Sequence, residues 1–122
     1  MNVAHYQAKQ YPNPPCWALV ADVYATEREQ GVAEFRTINS SIREIASTFR
    51  IALHKGQHGF EQIAEPEDMC LVLMGKSPRL GLHHCGVFYQ GSVLHALPDG
   101  NLFQDLASLA DNYSLMQFWG RS

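Results

Sequence analysis

The sequence predicts an α+β domain in which helices come first and a small antiparallel β-sheet follows. The first sign is a helical face: Cys16, Leu19, Val20, Val23 and Tyr24 recur at three- and four-residue spacing. The second is Ser41-x-x-Glu44, a capping box, followed by Ile42, Ile45, Phe49, Ala52 and Leu53 on one helical stripe. The third is a change of pattern at Met69, where helical periodicity gives way to short apolar runs separated by turn residues.

Composition bounds what such a domain can be. At 122 residues the chain fits one domain with one core, spanning 1–122. Hydrophobic residues make up 46% and charged residues 17%, which excludes a disordered chain. A formal charge of −3 leaves no basic surplus for nucleic acid. No apolar run approaches the roughly 18 residues of a membrane span. Met1 to Gln10 is polar and lacks an apolar h-region. No signal peptide is therefore expected, and the chain is expected in the cytoplasm on synthesis. Three cysteines, at 16, 70 and 85, are an odd number without dense spacing and include no C-x-x-C pair. That argues against a disulfide framework and a zinc ribbon, and no cofactor is expected.

The elements follow in order. Residues 1–15, with Tyr6, Tyr11 and three prolines, read as an irregular arm. Pro14-Pro15 stop what precedes them, and a helix runs from Cys16 to about Gln30, with Gly31 as its stop. A second helix runs from Ser41 to Lys55-Gly56, and His54 and His58 flank its end, where an imidazole interacts favourably with the dipole. Met69 to Met74 is a continuous apolar run, fitting a strand buried on both faces. After the Gly75–Arg79 loop, Leu82 to Tyr89 is a second strand, Gln90-Gly91 a turn and Ser92 to Leu97 a third strand. Pro98-Asp99-Gly100-Asn101 forms another turn, Phe103 to Ala110 a short helix, and Tyr113 to Trp119 a last strand.

Cys16 opens its helix, where unpaired N–H groups and the dipole favour a thiolate. By itself the stretch also fits a small buried residue. A nucleophile needs a base, and the base needs an orienting group. His83, His84 and His95 cluster in the expected hairpin. With a two-residue turn at Gln90-Gly91, Tyr89 pairs with Ser92, Gly86 falls opposite His95, and His84 shares a face with His95. A three-residue turn with a bulge selects His83 instead. A strand histidine satisfied by a backbone carbonyl is the structural alternative for each. Gly86 leaves room for one imidazole to lean toward the other. A metal held jointly by His83, His84 and Cys85 is disfavoured, because neighbouring strand residues point to opposite faces.

Cys16-Trp17-Ala18-Leu19-Val20, His84-Cys85-Gly86-Val87-Phe88 and Leu94-His95-Ala96 occur in that order, with His95 eleven residues after His84. Glu67-Asp68 precedes the apolar run at Met69, and Met116-Gln117-Phe118-Trp119-Gly120-Arg121 closes the chain. Together these resemble the NlpC-type cell-wall cysteine peptidases (the NlpC and p-sixty superfamily), in a short phage or prophage tail-associated form. The resemblance covers nearly the whole chain. It departs from the family's usual pattern at Pro15, Trp17, Ala18 and Glu67.

The resemblance implies a papain-like fold with N-terminal helices packed on the sheet. It implies Cys16 as nucleophile, His84 as base and His95 as orienting residue. Backbone N–H groups at Cys16 and Trp17 would form part of an oxyanion hole, and Tyr11 or Tyr6 would assist or position substrate. The implied substrate is a peptidoglycan stem peptide, cut at or near the bond between D-glutamate and the diamino acid. Other phage tail proteins are the implied partners, and the bacterial cell wall is the site of action. Two alternatives come from another class: a non-catalytic structural or adaptor domain of a tail tip, or a cell-wall peptide-binding module.

Overall fold

A computed structural model describes residues 1–12, 15–30 and 59–121. The arm is not irregular throughout, because it begins with a short helix, α1 (Val3–Gln7). The Asn2 side chain caps α1 by accepting the His5 N–H at 3.4 Å. At the far end, the Asn101 amide donates to the carbonyls of Tyr6 (2.9 Å) and Lys9 (2.7 Å). The Asn101 side chain thus ties the end of α1 and the residues just after it to the sheet.

The helix that opens at the thiol is α2 (Pro15–Arg28). Proline suits the first helical position, since its fixed φ is helical and its missing N–H would bond nothing there. The apolar stripe of α2 is buried as its spacing requires, and Trp17 is buried with it. The helix expected from Ser41 to Gly56, with His54 and His58, lies outside the described residues.

The second half forms one six-stranded antiparallel sheet: β1 (Phe60–Ile63), β2 (Leu71–Gly75), β3 (His84–Tyr89), β4 (Ser92–Leu97), β5 (Gly100–Asp105) and β6 (Leu115–Arg121). Its order is β1-β6-β2-β3-β4-β5, so four consecutive strands form a meander and β6 inserts between β1 and β2. A short helix, α3 (Leu106–Ala110), joins β5 to β6. The helix expected over Phe103–Ala110 is therefore divided. Leu102 and Phe103 pair with His95 and Leu94 as strand, and Asp105 starts the helix by accepting the Ser108 N–H at 2.7 Å. β1 is too short to signal itself by alternation.

Strand alternation gives the sheet two apolar faces. Leu71, Leu73, Cys85, Val87, Leu94 and Ala96 pack against α2. Cys70, Val72, Met74, Phe88 and Val93 form the opposite cluster with Leu109 of α3. β2 is buried at every residue because both faces are covered, as its unbroken apolar run implies. The β3–β4 turn has positive φ at both central residues, Gln90 (47°) and Gly91 (84°), the conformation of a tight two-residue hairpin. The Asp68 carboxylate accepts the Gln90 N–H at 2.9 Å, which holds that non-glycine residue in place. Among the described residues no helix is long and apolar enough to cross a membrane.

Candidate active site

The register of the hairpin decides which histidine meets which. Tyr89 pairs with Ser92, Phe88 with Val93 and Val87 with Leu94, as a two-residue turn requires. His84 and His95 therefore lie on one face, and His84 Nε2 stands 2.8 Å from His95 Nδ1. Gly86 makes this possible. A Cβ there would sit 2.6 Å from the Leu94 carbonyl oxygen and 3.0 Å from the His95 Cβ. Beyond His95, its Nε2 meets the Gln104 amide oxygen of β5 at 2.7 Å.

That last contact fixes the protons along the line. An amide oxygen only accepts, so His95 Nε2 carries the hydrogen. His95 Nδ1 is then an acceptor and takes the hydrogen of His84 Nε2. His84 Nδ1 is left for the thiol. Burial, then the charge His84 carries when protonated, push the His95 pKa down to about 4. His95 is thus a neutral relay at physiological pH.

Cys16 meets the sheet at the start of β3. The first turn of α2 brings its sulfur within hydrogen-bonding reach of two neighbouring side chains, Cys85 and His84. The hydrogen bond from Cys85 is the strongest influence holding the Cys16 thiol well below its ordinary range; burial opposes it, and His84 adds a second hydrogen bond and its charge. Cys85 moves the other way, pushed well up by burial first and by its partner Cys16 second. Within the pair, ionisation is favoured at Cys16 and opposed at Cys85. Cys16 keeps 4% of its surface and His84 6%, while His95 keeps 1%.

Tyr113 covers His84. Its ring stacks on that of His84 at 5.5 Å between centroids and 11° between planes. Burial first, then the negative charge of Cys16, raise the Tyr113 pKa. His83 has a structural post: its Nε2 accepts the Lys76 N–H at 3.1 Å and its own N–H donates to the Met74 carbonyl. Burial, then the neighbouring His84, push its pKa down.

The hydroxyls of the two expected site tyrosines are engaged with carboxylates of α2. The Tyr6 hydroxyl donates to Glu27 at 2.6 Å and the Tyr11 hydroxyl to Asp22 at 2.7 Å. On α2 those carboxylates lie about 9 Å (Asp22) and about 16 Å (Glu27) along the axis from Cys16. Lys9 reaches the same Asp22 oxygen at 2.8 Å. Burial opposes ionisation there, yet Lys9 and Tyr11 hold the Asp22 carboxyl below its usual range. The Trp17 ring is in the core between α2 and the sheet.

Gln104 and Tyr113 belong to the site and carry no local sequence signal. Gln104 could have been found by extending the hairpin register one strand further. Chemically, the arrangement offers a helix-start thiol whose ionisation is favoured, an imidazole beside it able to act as a base, and a neutral orienting chain behind that imidazole. Among the described residues no three His, Cys, Asp or Glu side chains group as metal ligands would. No protein-family model, no curated protein and no solved structure matches the chain.

Proposed function

We propose that the chain is a papain-like cysteine peptidase that hydrolyses peptide bonds in peptidoglycan stem peptides through Cys16, His84 and His95. The observation that carries this reading is the hydrogen-bonded line from His84 through His95 to Gln104, with Cys16 set beside His84 at its head. The substrate, with its D-glutamyl–diamino acid bond, and a phage or prophage tail as the vehicle rest on the motif resemblance.

The Cys16 thiolate attacks the scissile carbonyl carbon. His84 gives its proton to the leaving amine as the C–N bond breaks, and a thioester remains on Cys16. His84 then takes a proton from water, the resulting hydroxide attacks the thioester, and the acid product leaves. His95 stays neutral and holds the His84 ring through its Nε2–H. The oxyanion develops beside the first turn of α2, at the positive end of the helix dipole.

The test is digestion of purified muropeptides by wild type and Cys16→Ala, read by mass spectrometry, with the iodoacetamide rate of Cys16 measured in parallel. Wild type should release stem-peptide fragments and Cys16→Ala none. Absence of wild-type cleavage, with Cys16 alkylated no faster than a free thiol near neutral pH, overturns the proposal. One observation favours a second reading, a non-catalytic tail-tip or peptide-binding domain. Cys16 is almost wholly buried and shares its hydrogen bonding with a second cysteine. That reading predicts muropeptide binding without turnover in the same assay.

A further inference from the structure

The peptidase chemistry uses one of the two cysteines that meet at the start of β3. Cys85 is fully buried, faces α2 and sits in the same core cluster as Cys16. Neither is bonded in the structure, although Cys16 on the first turn of α2 and Cys85 on the α2-facing side of β3 lie in one packed cluster and each perturbs the other's ionisation. The third cysteine, Cys70, is in the cluster on the opposite face of the sheet. Of the other two cysteines, only Cys85 therefore shares the cluster of Cys16. The two also differ in access, since Cys16 keeps a small exposed surface and Cys85 has none.

We propose that Cys16 and Cys85 form a reversible disulfide, with hydrogen peroxide as the oxidant, Cys16 as the sulfur attacked first and Cys85 as the resolving thiol. The Cys16 thiolate attacks one peroxide oxygen. The O–O bond breaks, sulfur loses two electrons, and Cys16 sulfenic acid and hydroxide form. The Cys85 sulfur then attacks the sulfenic sulfur, the S–S bond forms and the S–OH bond breaks. The departing hydroxide takes the Cys85 proton and leaves as water. A dithiol reductant reverses the bond by thiol–disulfide exchange. The formation of the bond does not depend on the peptidase reading; its consequence does, because a Cys16 held in a disulfide cannot attack a carbonyl.

The experiment treats full-length wild type, Cys70→Ala, Cys85→Ala and Cys85→Ser with excess hydrogen peroxide. Products are followed by free-thiol counting, intact mass and peptide mapping without reduction. In wild type, free thiols should fall from three to one, and the Cys16 and Cys85 peptides should appear cross-linked, with loss of two hydrogens. Dithiothreitol should restore all three. Cys70→Ala should give the same cross-link. In both Cys85 variants Cys16 should gain two oxygens as sulfinic acid, which dithiothreitol does not reverse. Wild-type Cys16 reaching sulfinic acid without a cross-link, or cross-linking to Cys70, overturns the proposal without any need for a folded variant. A cross-link in a protein that cleaves no muropeptide when reduced upholds the disulfide and overturns the peptidase reading instead.

Discussion

His84 and His95 meet edge-on, Nε2 to Nδ1 at 2.8 Å with their planes 80° apart, and only one of the pair can be the base. His95 is committed to accepting from His84 and donating to Gln104, so in the proposed mechanism it orients the ring that moves the proton. His95→Ala should lower kcat on muropeptides by about a hundredfold or more with little change in KM, the scale of a disabled acid–base group. His95→Asn, which restores an acceptor, should recover part of the loss. An unchanged kcat in His95→Ala would show that the line is structural only.

Gln104 sets the direction of that line. In Gln104→Glu a carboxylate replaces the amide oxygen and favours the charged form of His95, raising its pKa from about 4. Once protonated, His95 Nδ1 donates and no longer accepts from His84. The acid limb of the kcat–pH profile should therefore move to higher pH in Gln104→Glu and not in Gln104→Ala. Superimposable profiles for the two variants would remove Gln104 from the relay.

A histidine kept neutral by burial also makes folding depend on pH. His95 titrates at about 4 in the folded chain against 6.5 for an unperturbed histidine. Between those values the unfolded chain binds more protons, so stability rises with pH across the window and is lost as pH falls from about 6.5 to about 4. The shift corresponds to a loss on the order of 3 kcal/mol. His83, its pKa lowered by burial, acts in the same direction. Urea midpoints should fall between about pH 7 and about pH 4.5, and His95→Gln should flatten the dependence. The same slope in the variant would assign it to other groups.

Gly86 is the narrowest point of the hairpin. Gly86→Ala would force its Cβ against the Leu94 carbonyl oxygen at 2.6 Å and Val93 Cγ1 at 2.7 Å. Part of this contact is backbone, so the strands must separate. The expected loss is about 1–3 kcal/mol of stability, the usual range for overpacking. The relay should loosen with it, because His95 lies across the same contact. Thermal unfolding and kcat read the two effects separately.

The Tyr113 ring, stacked on His84, restricts its rotation and excludes water from one side. Tyr113→Phe keeps that ring and should retain most of the activity. Tyr113→Leu removes the flat face and should lower kcat by about tenfold, roughly 1.4 kcal/mol of transition-state free energy. If Phe is as damaging as Leu, the hydroxyl matters and stacking does not.

The helix–sheet order, the buried β2 and the hairpin turn were legible because each rests on local periodicity or turn chemistry. The pairing of His84 with His95 was legible for the same reason, since a two-residue turn fixes register. β1 was not, being four residues long with no partner nearby in sequence. The Phe103–Ala110 segment misled because Phe103, Leu106 and Leu109 fit a helical stripe, while pairing with β4 claims Phe103, Gln104 and Asp105 for strand. Tyr6 and Tyr11 suggested a role at the thiol by proximity in sequence. The carboxylates of Glu27 and Asp22 captured their hydroxyls instead. Gln104 and Tyr113 reach the site only through tertiary packing, which no spacing rule encodes.

The insertion of β6 between β1 and β2 sets an order of assembly. Its partners lie far back in the chain, from Gly75 for Leu115 to Phe60 for Arg121, whereas β2 to β5 join through near neighbours. Non-local pairings form slowly. The strands bearing His84, His95 and Gln104 can therefore zip first, leaving the β2 edge bare until the final strand docks and Tyr113 arrives with it. A bare apolar edge invites pairing with another chain. Refolding yield should fall as protein concentration rises, and pulsed hydrogen exchange should protect β3 and β4 amides before those of β1 and β6.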